Sequence, residues 1–162
     1  MNHAVRDLDP TEVAQAAEIW HTGWHLAHSA HVPAELSALR TLDSFHQRIV
    51  AFGDAVRTAG PLGAPLGLCV TVADELYQIF VSQAAMGTGL AQKLLTDGES
   101  RIAAAGHAEA FLHCIPENSR ARRFYTRADW RDCGNVIAQL ETLNGHFPLE
   151  VTKYCKRVTA PA

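Results

Sequence analysis

The segment 75–95 constrains the fold of this 162-residue chain more than any other stretch. It opens with a run rich in aromatic and β-branched residues at 76–81, which is typical of a strand. A short turn with glycines follows at 84–89, and leucines then recur at helical spacing. A strand, a glycine turn and a helix N-terminus together present unpaired backbone N–H groups. The segment therefore predicts a binding site for an anion such as a phosphate.

Two familiar glycine loops do not account for this turn. A Walker phosphate loop needs a glycine, four residues and then Gly-Lys-Ser/Thr, and no such string occurs in the sequence. A dinucleotide-binding fingerprint needs a third glycine at position 92, which is Gln92. The turn therefore needs another explanation.

The segment resembles motif A of the GNAT superfamily of N-acetyltransferases. In that motif a strand-ending valine is followed by Arg or Gln five residues later, by Gly at eight, and by Gly or Ala at ten. Here Val81 is followed by Met86, Gly89 and Ala91, and Gly87 adds a further glycine. Met86 departs from the motif, because it removes a polar side chain beside the expected pyrophosphate.

A second segment, 118–130, resembles motif B of the same superfamily. That motif runs Asn, two residues, Ala, two residues, Phe/Leu-Tyr, three residues and Gly-Phe. The matching positions are Asn118, Ala121, Phe124, Tyr125 and Trp130. Asp129 stands where glycine is usual, and this departure is tolerable if the backbone there is left-handed, a conformation that Asp accepts better than most residues do.

The resemblance implies an α/β (α+β) fold in one domain over residues 1–162. The expected architecture is a mixed, mostly antiparallel twisted sheet of six or seven strands flanked by about four helices, with two central parallel strands splayed around acetyl-CoA. The patterns predict strands at 3–8, 55–58, 66–72, 76–81, 110–115, 135–143 and 149–158. They predict helices at 12–27, 33–52 (with a break near 41–43), 89–105 and 119–127.

The resemblance also implies which residues hold acetyl-CoA. The backbone of the turn and of the first helical turn would bind the pyrophosphate, and a backbone N–H within 80–82 would be the oxyanion donor. Asn118 would hydrogen-bond the pantetheine or cap its own helix. The predicted cofactor-binding residues are Phe80, Val81, Met86, Gly87, Thr88, Gly89, Leu90, Ala91 and Asn118.

Two residues are predicted to carry the chemistry. Tyr125 lies where many family members have the general acid for the CoA thiolate, and a phenol is protonated at neutral pH. Glu75 lies at the start of the motif strand, where several members place a general base, and burial would raise the pKa of its carboxyl group. His113 on the next strand is the alternative base. Cys114 is disfavoured as a nucleophile. Adjacent strand residues point to opposite faces of a sheet, so the neighbouring His113 cannot readily activate its thiol.

The acceptor side is predicted only in outline. Family members build it from the first two helices and the loop before the last strand, which here implies Trp24, His25 and His28 as substrate-binding residues. His21, His25 and His28 also share a helical spacing that metal ligands can use. No acidic or cysteine partner and no HExxH string accompanies them, so no metal is expected.

Composition narrows the class of protein. The net charge of −3 gives no electrostatic reason to expect nucleic acid or an anionic membrane as a partner. The four cysteines form no CxxC pair, which favours a reducing, cytoplasmic setting. The sequence thus predicts an acetyl-CoA-dependent N-acetyltransferase acting on a small-molecule or peptide amine, with homodimerisation as a family tendency. The alternative is a non-catalytic acyl-CoA-binding or regulatory module.

Overall fold

The computed structural model describes residues 3–158. The strands are β1 (Val5–Asp7), β2 (Val56–Ala59), β3 (Gly67–Val72), β4 (Glu75–Val81), β5 (Glu109–Cys114), β6 (Arg131–Thr142) and β7 (Gly145–Arg157). The α-helices are α1 (Val13–His28), α2 (Ala34–Leu39), α3 (Leu42–Phe52), α4 (Leu90–Ala104) and α5 (Ser119–Arg127). None of the helices in this described part is both long and apolar enough to span a bilayer.

All seven strands form one sheet in the order β1-β2-β3-β4-β5-β7-β6. Every neighbouring pair is antiparallel except β4 and β5, which are parallel. These two strands pair at one register position only, Glu75 with Phe111. The Phe111 N–H donates to the carbonyl of Asp74 at 3.1 Å. The strands separate beyond that point, which confirms the predicted mixed sheet with a splayed central pair.

Helices cover both faces of the sheet. On one face α4 buries Leu94 and Leu95 against Leu112 of β5, and α5 adds its side chains to the same cluster. On the other face α1 and α3 bury Trp20 and Phe45 against β3. Full burial of each large apolar side chain stabilises the fold by about 1.5–3 kcal/mol, so both layers hold the sheet firmly.

β4 contains a β-bulge that changes which residues face which layer. The register shifts between Val70 and Thr71 of β3, and Tyr77 is the additional residue on β4. As a result Leu76 and Ile79, three positions apart, both pack with the α4 layer. Tyr77 packs with the α1 layer instead.

Two sequence-based boundaries differ from the structure. These are the starts of the last two strands, whereas the predicted break of helix 33–52 near 41–43 is confirmed, because the Thr41 hydroxyl accepts from the N–H of Ser44 at 3.1 Å and begins a new helix. The last two strands begin at Arg131 and Gly145 rather than at residues 135 and 149. Both of these extensions are largely exposed and one contains a bulge, so neither shows the alternation that marks a half-buried strand.

Candidate active site

A cavity of about 940 Å³ lies where β4 and β5 separate. The end of β4, the start of α4, the α5 helix and one side of α1 surround it. The predicted cofactor residues that line it are Phe80, Val81, Met86, Gly87, Gly89, Ala91 and Asn118. The other two, Thr88 and Leu90, are engaged within the fold: the Thr88 hydroxyl donates to the Ala85 carbonyl, and the Leu90 side chain is buried in the core.

The glycine turn at the cavity mouth presents its backbone N–H groups. Gly87 and Gly89 have φ of +75° and +86°, in the left-handed region that favours glycine. Within the described chain, the N–H groups of residues 89–92 have no acceptor, as the first turn of a helix requires. Together with the positive end of the α4 dipole, they form a site suited to phosphate oxygens.

Three arginines on α5 face the same cavity, and sequence reasoning missed them. Arg120, Arg123 and Arg127 are exposed and follow helical spacing along the cavity wall. Arg120 Nη1 lies 3.5 Å from the sulfur of Met86. A guanidinium group therefore reaches the turn at the point where Met86 lacks a polar side chain. Their spacing of three and four residues places the three side chains on one face of a helix, and this is the sequence signal that could have identified them.

Asn118 caps α5, which is one of the two alternatives the sequence left open. Its Oδ1 accepts from the N–H of Ala121 at 3.1 Å. The residue also lines the cavity, and its side-chain amide nitrogen has no partner among the described residues. A helix cap therefore leaves the side-chain N–H groups available to a ligand.

The end of α5 positions the proposed general acid. Asp129 has φ of +69°, so its backbone is left-handed, which is the condition under which Asp can replace the glycine of the motif. The turn allows the Trp130 N–H to donate to the carbonyl of Tyr125 at 3.0 Å. The Trp130 indole also donates to Glu99 Oε2 at 3.0 Å. These contacts close the helix and hold the backbone of Tyr125.

Tyr125 is buried and forms part of the cavity wall. Its ring lies 6.2 Å from that of Trp130 and 6.0 Å from that of Tyr154. Burial, with the nearby Cys114 thiol, raises the pKa of the Tyr125 phenol above its ordinary value. The phenol is therefore protonated at neutral pH and can only donate its proton.

Glu75 and His113 lie on the other face of the sheet. Leu76 and Leu112, their neighbours along β4 and β5, pack with the α4 layer, and adjacent strand residues face opposite ways. The Glu75 Oε2 atom is 3.8 Å from Nδ1 of His113. The pair stands beside the position where β4 and β5 separate, outside the cavity lining.

Burial sets the protonation of both groups. Desolvation, with the adjacent Asp74 carboxylate, raises the pKa of Glu75 to about 7. Desolvation, with the positive charge of Lys153, lowers the pKa of His113. At neutral pH a carboxyl group near its midpoint therefore faces a neutral imidazole. A carboxyl group with this pKa can accept a proton at physiological pH.

Cys114 points away from His113 and is a poor nucleophile. Its thiol donates to the Ile115 carbonyl with an S···O distance of 3.6 Å. Burial raises the pKa of the Cys114 thiol to about 11, so it is not ionised at neutral pH.

The three predicted acceptor contacts lie in or against the α1 layer, and none lines the cavity. Trp24 is buried in the core. His25 uses both ring nitrogens, with Ser29 Oγ and the Arg40 carbonyl each at 2.6 Å. His28 has a buried Nδ1 without a partner, and desolvation lowers the pKa of its imidazole to about 4. The acceptor role of these residues stays a prediction.

Within residues 3–158 no three or more His, Cys, Asp and Glu side chains are grouped so that they could hold a metal ion.

Comparison with known proteins decides the family. Residues 12–130 match the model of the acetyltransferase (GNAT) family. The chain belongs to the GNAT family. No curated protein sequence matches it.

Solved structures share this GNAT fold at low sequence identity. A GCN5-related N-acetyltransferase from Rhodopseudomonas palustris superposes with a TM-score of 0.75 at 16% identity, covering 98% of this chain and 97% of the other. PaiA N-acetyltransferase from Thermoplasma acidophilum, in complex with coenzyme A, gives 0.66 at 15% identity, covering 97% and 99%. YncA from Salmonella typhimurium, a putative acetyltransferase with acetyl-CoA, gives 0.66 at 16% identity, covering 100% and 97%. The predicted GNAT fold is therefore confirmed.

Proposed function

We propose that this GNAT protein is an acetyl-CoA-dependent N-acetyltransferase that acetylates a primary amine of a small molecule or peptide by direct attack on the thioester. The observation that carries the proposal is the 940 Å³ cavity, which runs between unpaired N–H groups at the start of α4 and the phenol of Tyr125. One end of this cavity suits phosphates and the other suits a departing thiolate.

Two kinds of donor support CoA binding. The amides of the glycine turn and of α4 would hold the pyrophosphate, and they do not depend on the side chain at position 86. Arg120, Arg123 and Arg127 would add positive charge beside the phosphates. The PaiA and YncA structures contain coenzyme A and acetyl-CoA respectively, which supports the same ligand here.

The separation of β4 from β5 supports an oxyanion site made by the backbone. The Ser82 N–H donates to the carbonyl of Leu66, just before β3, at 2.8 Å, so it is occupied. Alternate residues of an antiparallel strand direct their N–H groups to opposite sides, and the Val81 N–H therefore faces the gap. An N–H group at that position can stabilise the oxygen of a tetrahedral intermediate.

The two faces of the sheet support a direct transfer. Glu75 would accept a proton from the attacking amine on one face, and Tyr125 would protonate the CoA sulfur on the other. In this transfer the amine nitrogen bonds to the acyl carbon and the carbon–sulfur bond breaks. One proton passes from the amine to Glu75, and one passes from Tyr125 to the thiolate. No covalent enzyme intermediate is needed, which agrees with the un-ionised Cys114.

A non-catalytic acyl-CoA-binding module is the second candidate. The observation that favours it is Met86, which leaves the turn without the Arg or Gln side chain that the motif has at this position. Such a module would bind CoA through the same cradle and release no thiol.

One experiment tests both candidates. We would measure the melting temperature with and without acetyl-CoA, and then CoA release across a panel of primary amines. A ligand at 100 times its Kd stabilises the folded state by about 2.7 kcal/mol, which a melting curve resolves easily. A shift with amine-dependent CoA release supports the enzyme, and a shift without release supports the module. The absence of a shift at millimolar acetyl-CoA would contradict both.

We also propose a cytoplasmic location and a homodimer. The four cysteines are all unpaired, which supports a reducing compartment. β6 lies at the edge of the sheet and exposes 63% of Ile137, which supports contact with a second copy. Size-exclusion chromatography with light scattering tests the dimer.

A further inference from the structure

Two arginines are buried in the α1 layer without a counter-ion. Arg40 is 3% exposed and Arg48 is 4% exposed. Among the described residues neither arginine forms an ion pair, and the ion pairs that do form there all use other cations. A buried charge is costly unless an opposite charge or several hydrogen bonds compensate it. These two guanidinium groups therefore call for an anion.

Their hydrogen bonds are also incomplete. Arg40 Nη1 donates to the Glu141 carbonyl at 2.7 Å, and Arg48 Nη2 donates to the Tyr77 hydroxyl at 2.7 Å. The Nε atoms of both arginines and Nε1 of Trp20 are buried without an acceptor. Folded proteins satisfy almost all buried donors, so three of them in one layer mark the place of a missing acceptor.

Aromatic rings compensate only part of the charge. The Arg48 guanidinium carbon lies 4.4 Å from the ring centre of Trp20 and 5.6 Å from that of Phe45. A ring face attracts the cation, but it does not accept the in-plane N–H groups. The Arg40 guanidinium lies over Trp24 at 5.9 Å. Burial, with repulsion from Arg48, lowers the pKa of Arg40 to about 10, so Arg40 stays charged at neutral pH.

The two arginines lie on the side of the sheet that holds Glu75. Tyr77, the partner of Arg48, is on the same strand two positions from Glu75, and both packing and the bulge direct it to the α1 layer. Arg40 reaches the hairpin of β6 and β7. Arg40 lies between α2 and α3, and within residues 3–158 its bond to Glu141 is the one side-chain hydrogen bond between this hairpin and the segment 13–52. A carboxylate that binds Arg40 from this side would replace one hydrogen bond, the bond to the Glu141 carbonyl.

We propose that Arg40 and Arg48 form an anion subsite, and that the amine acetylated by this protein carries a carboxylate. The inference rests on the proposed function and names its substrate class. A carboxylate offers only acceptors, neutralises positive charge and fits the fork of a guanidinium group. The amine of the same molecule would then be directed toward Glu75. Amino acids and peptides with a free C-terminus have this chemistry.

Equilibrium binding tests the subsite independently of turnover. We would titrate the CoA-saturated protein with amino acids and short peptides, each paired with its C-terminal carboxamide, and follow the melting temperature. We expect at least one carboxylate to bind about 10-fold or more tightly than its carboxamide, as a charged hydrogen bond would give. Equal binding within every pair, or binding of neither member, would overturn the proposal. Sodium chloride at matched ionic strength controls for a general salt effect.

Variants sharpen the test. Arg40→Gln should reduce the preference for carboxylates by about 10-fold and leave the Kd for CoA unchanged. Arg157→Gln, an exposed arginine at the end of β7, is the matched control and should change neither. Arg48→Gln should act like Arg40→Gln if it folds, and the wild-type titration decides the question if it does not. An unchanged preference in Arg40→Gln would contradict its role.

The same pairs separate this inference from the proposed function. If no amine releases CoA but carboxylates still bind more tightly than carboxamides, the enzyme assignment fails and the subsite stands. If amines are acetylated with equal kcat/KM in acid and amide form, the enzyme assignment stands and the subsite fails.

Discussion

The two ends of β4 differ in the kind of group that forms each site: main-chain groups dominate at one end and side chains at the other. At the Val81 end the cavity proposed to bind the cofactor is lined by glycines, backbone amides and exposed arginines. At the Glu75 end the groups are half-buried or buried side chains held by partners from several elements, including His113 and the bond from Arg48 to Tyr77. The first end depends on the course of the main chain, and the second depends on individual side chains.

This difference determines which substitutions each end tolerates. A backbone N–H stays in place when its own side chain changes, so Met86 can occupy the turn while the amides remain available. A buried carboxyl group has no such substitute, since its pKa and position depend on the groups around it. Substitutions should therefore act weakly at the cofactor end unless they alter the main chain, and strongly at the other end.

The largest effect is expected for Glu75→Gln. Removing a general base should lower kcat/KM by about 100- to 10,000-fold while the Kd for acetyl-CoA stays unchanged. In the wild type, kcat/KM should rise with pH through about 7, because the Glu75 carboxyl must be ionised to accept a proton. Initial rates of CoA release against pH measure both.

The control for this change is Glu18→Gln, an exposed carboxylate on α1. It should keep the wild-type rate and pH profile. Wild-type activity in Glu75→Gln would transfer the base role to His113 or to water.

Tyr125→Phe should have the next largest effect. Loss of the proton donor should lower kcat by about 100-fold, the low end for proton transfer, because a thiolate is already a good leaving group. Tyr154→Phe is the matched control, since Tyr154 is buried 6.0 Å from the Tyr125 ring and lies outside the cavity lining. Equal rates in the two variants would remove the acid role from Tyr125.

Ionisation of Glu75 should also lower the stability of the folded protein at high pH. The folded protein holds the Glu75 proton up to about pH 7, whereas the unfolded chain releases it near the ordinary value of 4.5. The folded state therefore binds more protons between these values, and stability falls as pH rises through them. Glu75→Gln should be more stable than wild type by about 1–3 kcal/mol at pH 8 and about equal at pH 4.

Urea unfolding at both pH values measures this effect. Glu18→Gln should show no such pH dependence. A difference between Glu75→Gln and wild type that is the same at pH 4 and pH 8 would contradict the raised pKa.

Gly89→Ala tests the main chain at the cofactor end. A Cβ there meets no atom within 4 Å, so the cost is the left-handed backbone, about 1–2 kcal/mol of stability. Displaced amides should also weaken acetyl-CoA binding about 10-fold, the equivalent of one charge-assisted hydrogen bond. Gly106→Ala, at φ +99° beyond the end of α4, is the matched control. It should lose stability and keep its affinity, and an equal loss of affinity would show a global effect.

The smallest effect is expected for Arg123→Gln. An exposed charge beside the phosphates should change the Kd for acetyl-CoA by about two- to five-fold, and less in high salt. Isothermal titration at two salt concentrations measures the change, with Arg157→Gln as control. A loss as large as that of Gly89→Ala would contradict the backbone-based account of this end.

The cofactor end could be predicted from the sequence because its signals are local. A strand, a glycine turn and a leucine stripe lie within 75–95, and the left-handed backbone at Asp129 lies at the position where the motif has glycine. The arginines of α5 were harder to assign, since their meaning depends on α5 lying beside the start of α4.

The other end could be predicted only where strand position was enough, as for Glu75 and His113. Charged residues are normally assigned to the surface, so Arg40 and Arg48 gave no signal of burial. The partners come from distant segments: Arg48 bonds Tyr77 across 29 positions, and Arg40 bonds Glu141 across 101. Local patterns do not report such contacts.

The bulge at Tyr77 lets one strand serve both ends. Along an unbroken strand the side chains alternate in strict order, so the placement of Val81 would also dictate the placement of Glu75. The additional residue uncouples them. A deletion of Tyr77 would restore strict alternation while Leu76 keeps Thr71 as its partner, so Leu76 would stay on the α4 side and Glu75 on the α1 side, and Arg48 would lose its hydroxyl partner. The seven residues of β4 therefore place Val81 against the α4 layer and Glu75 on the opposite face, which strict alternation over the same length would not allow.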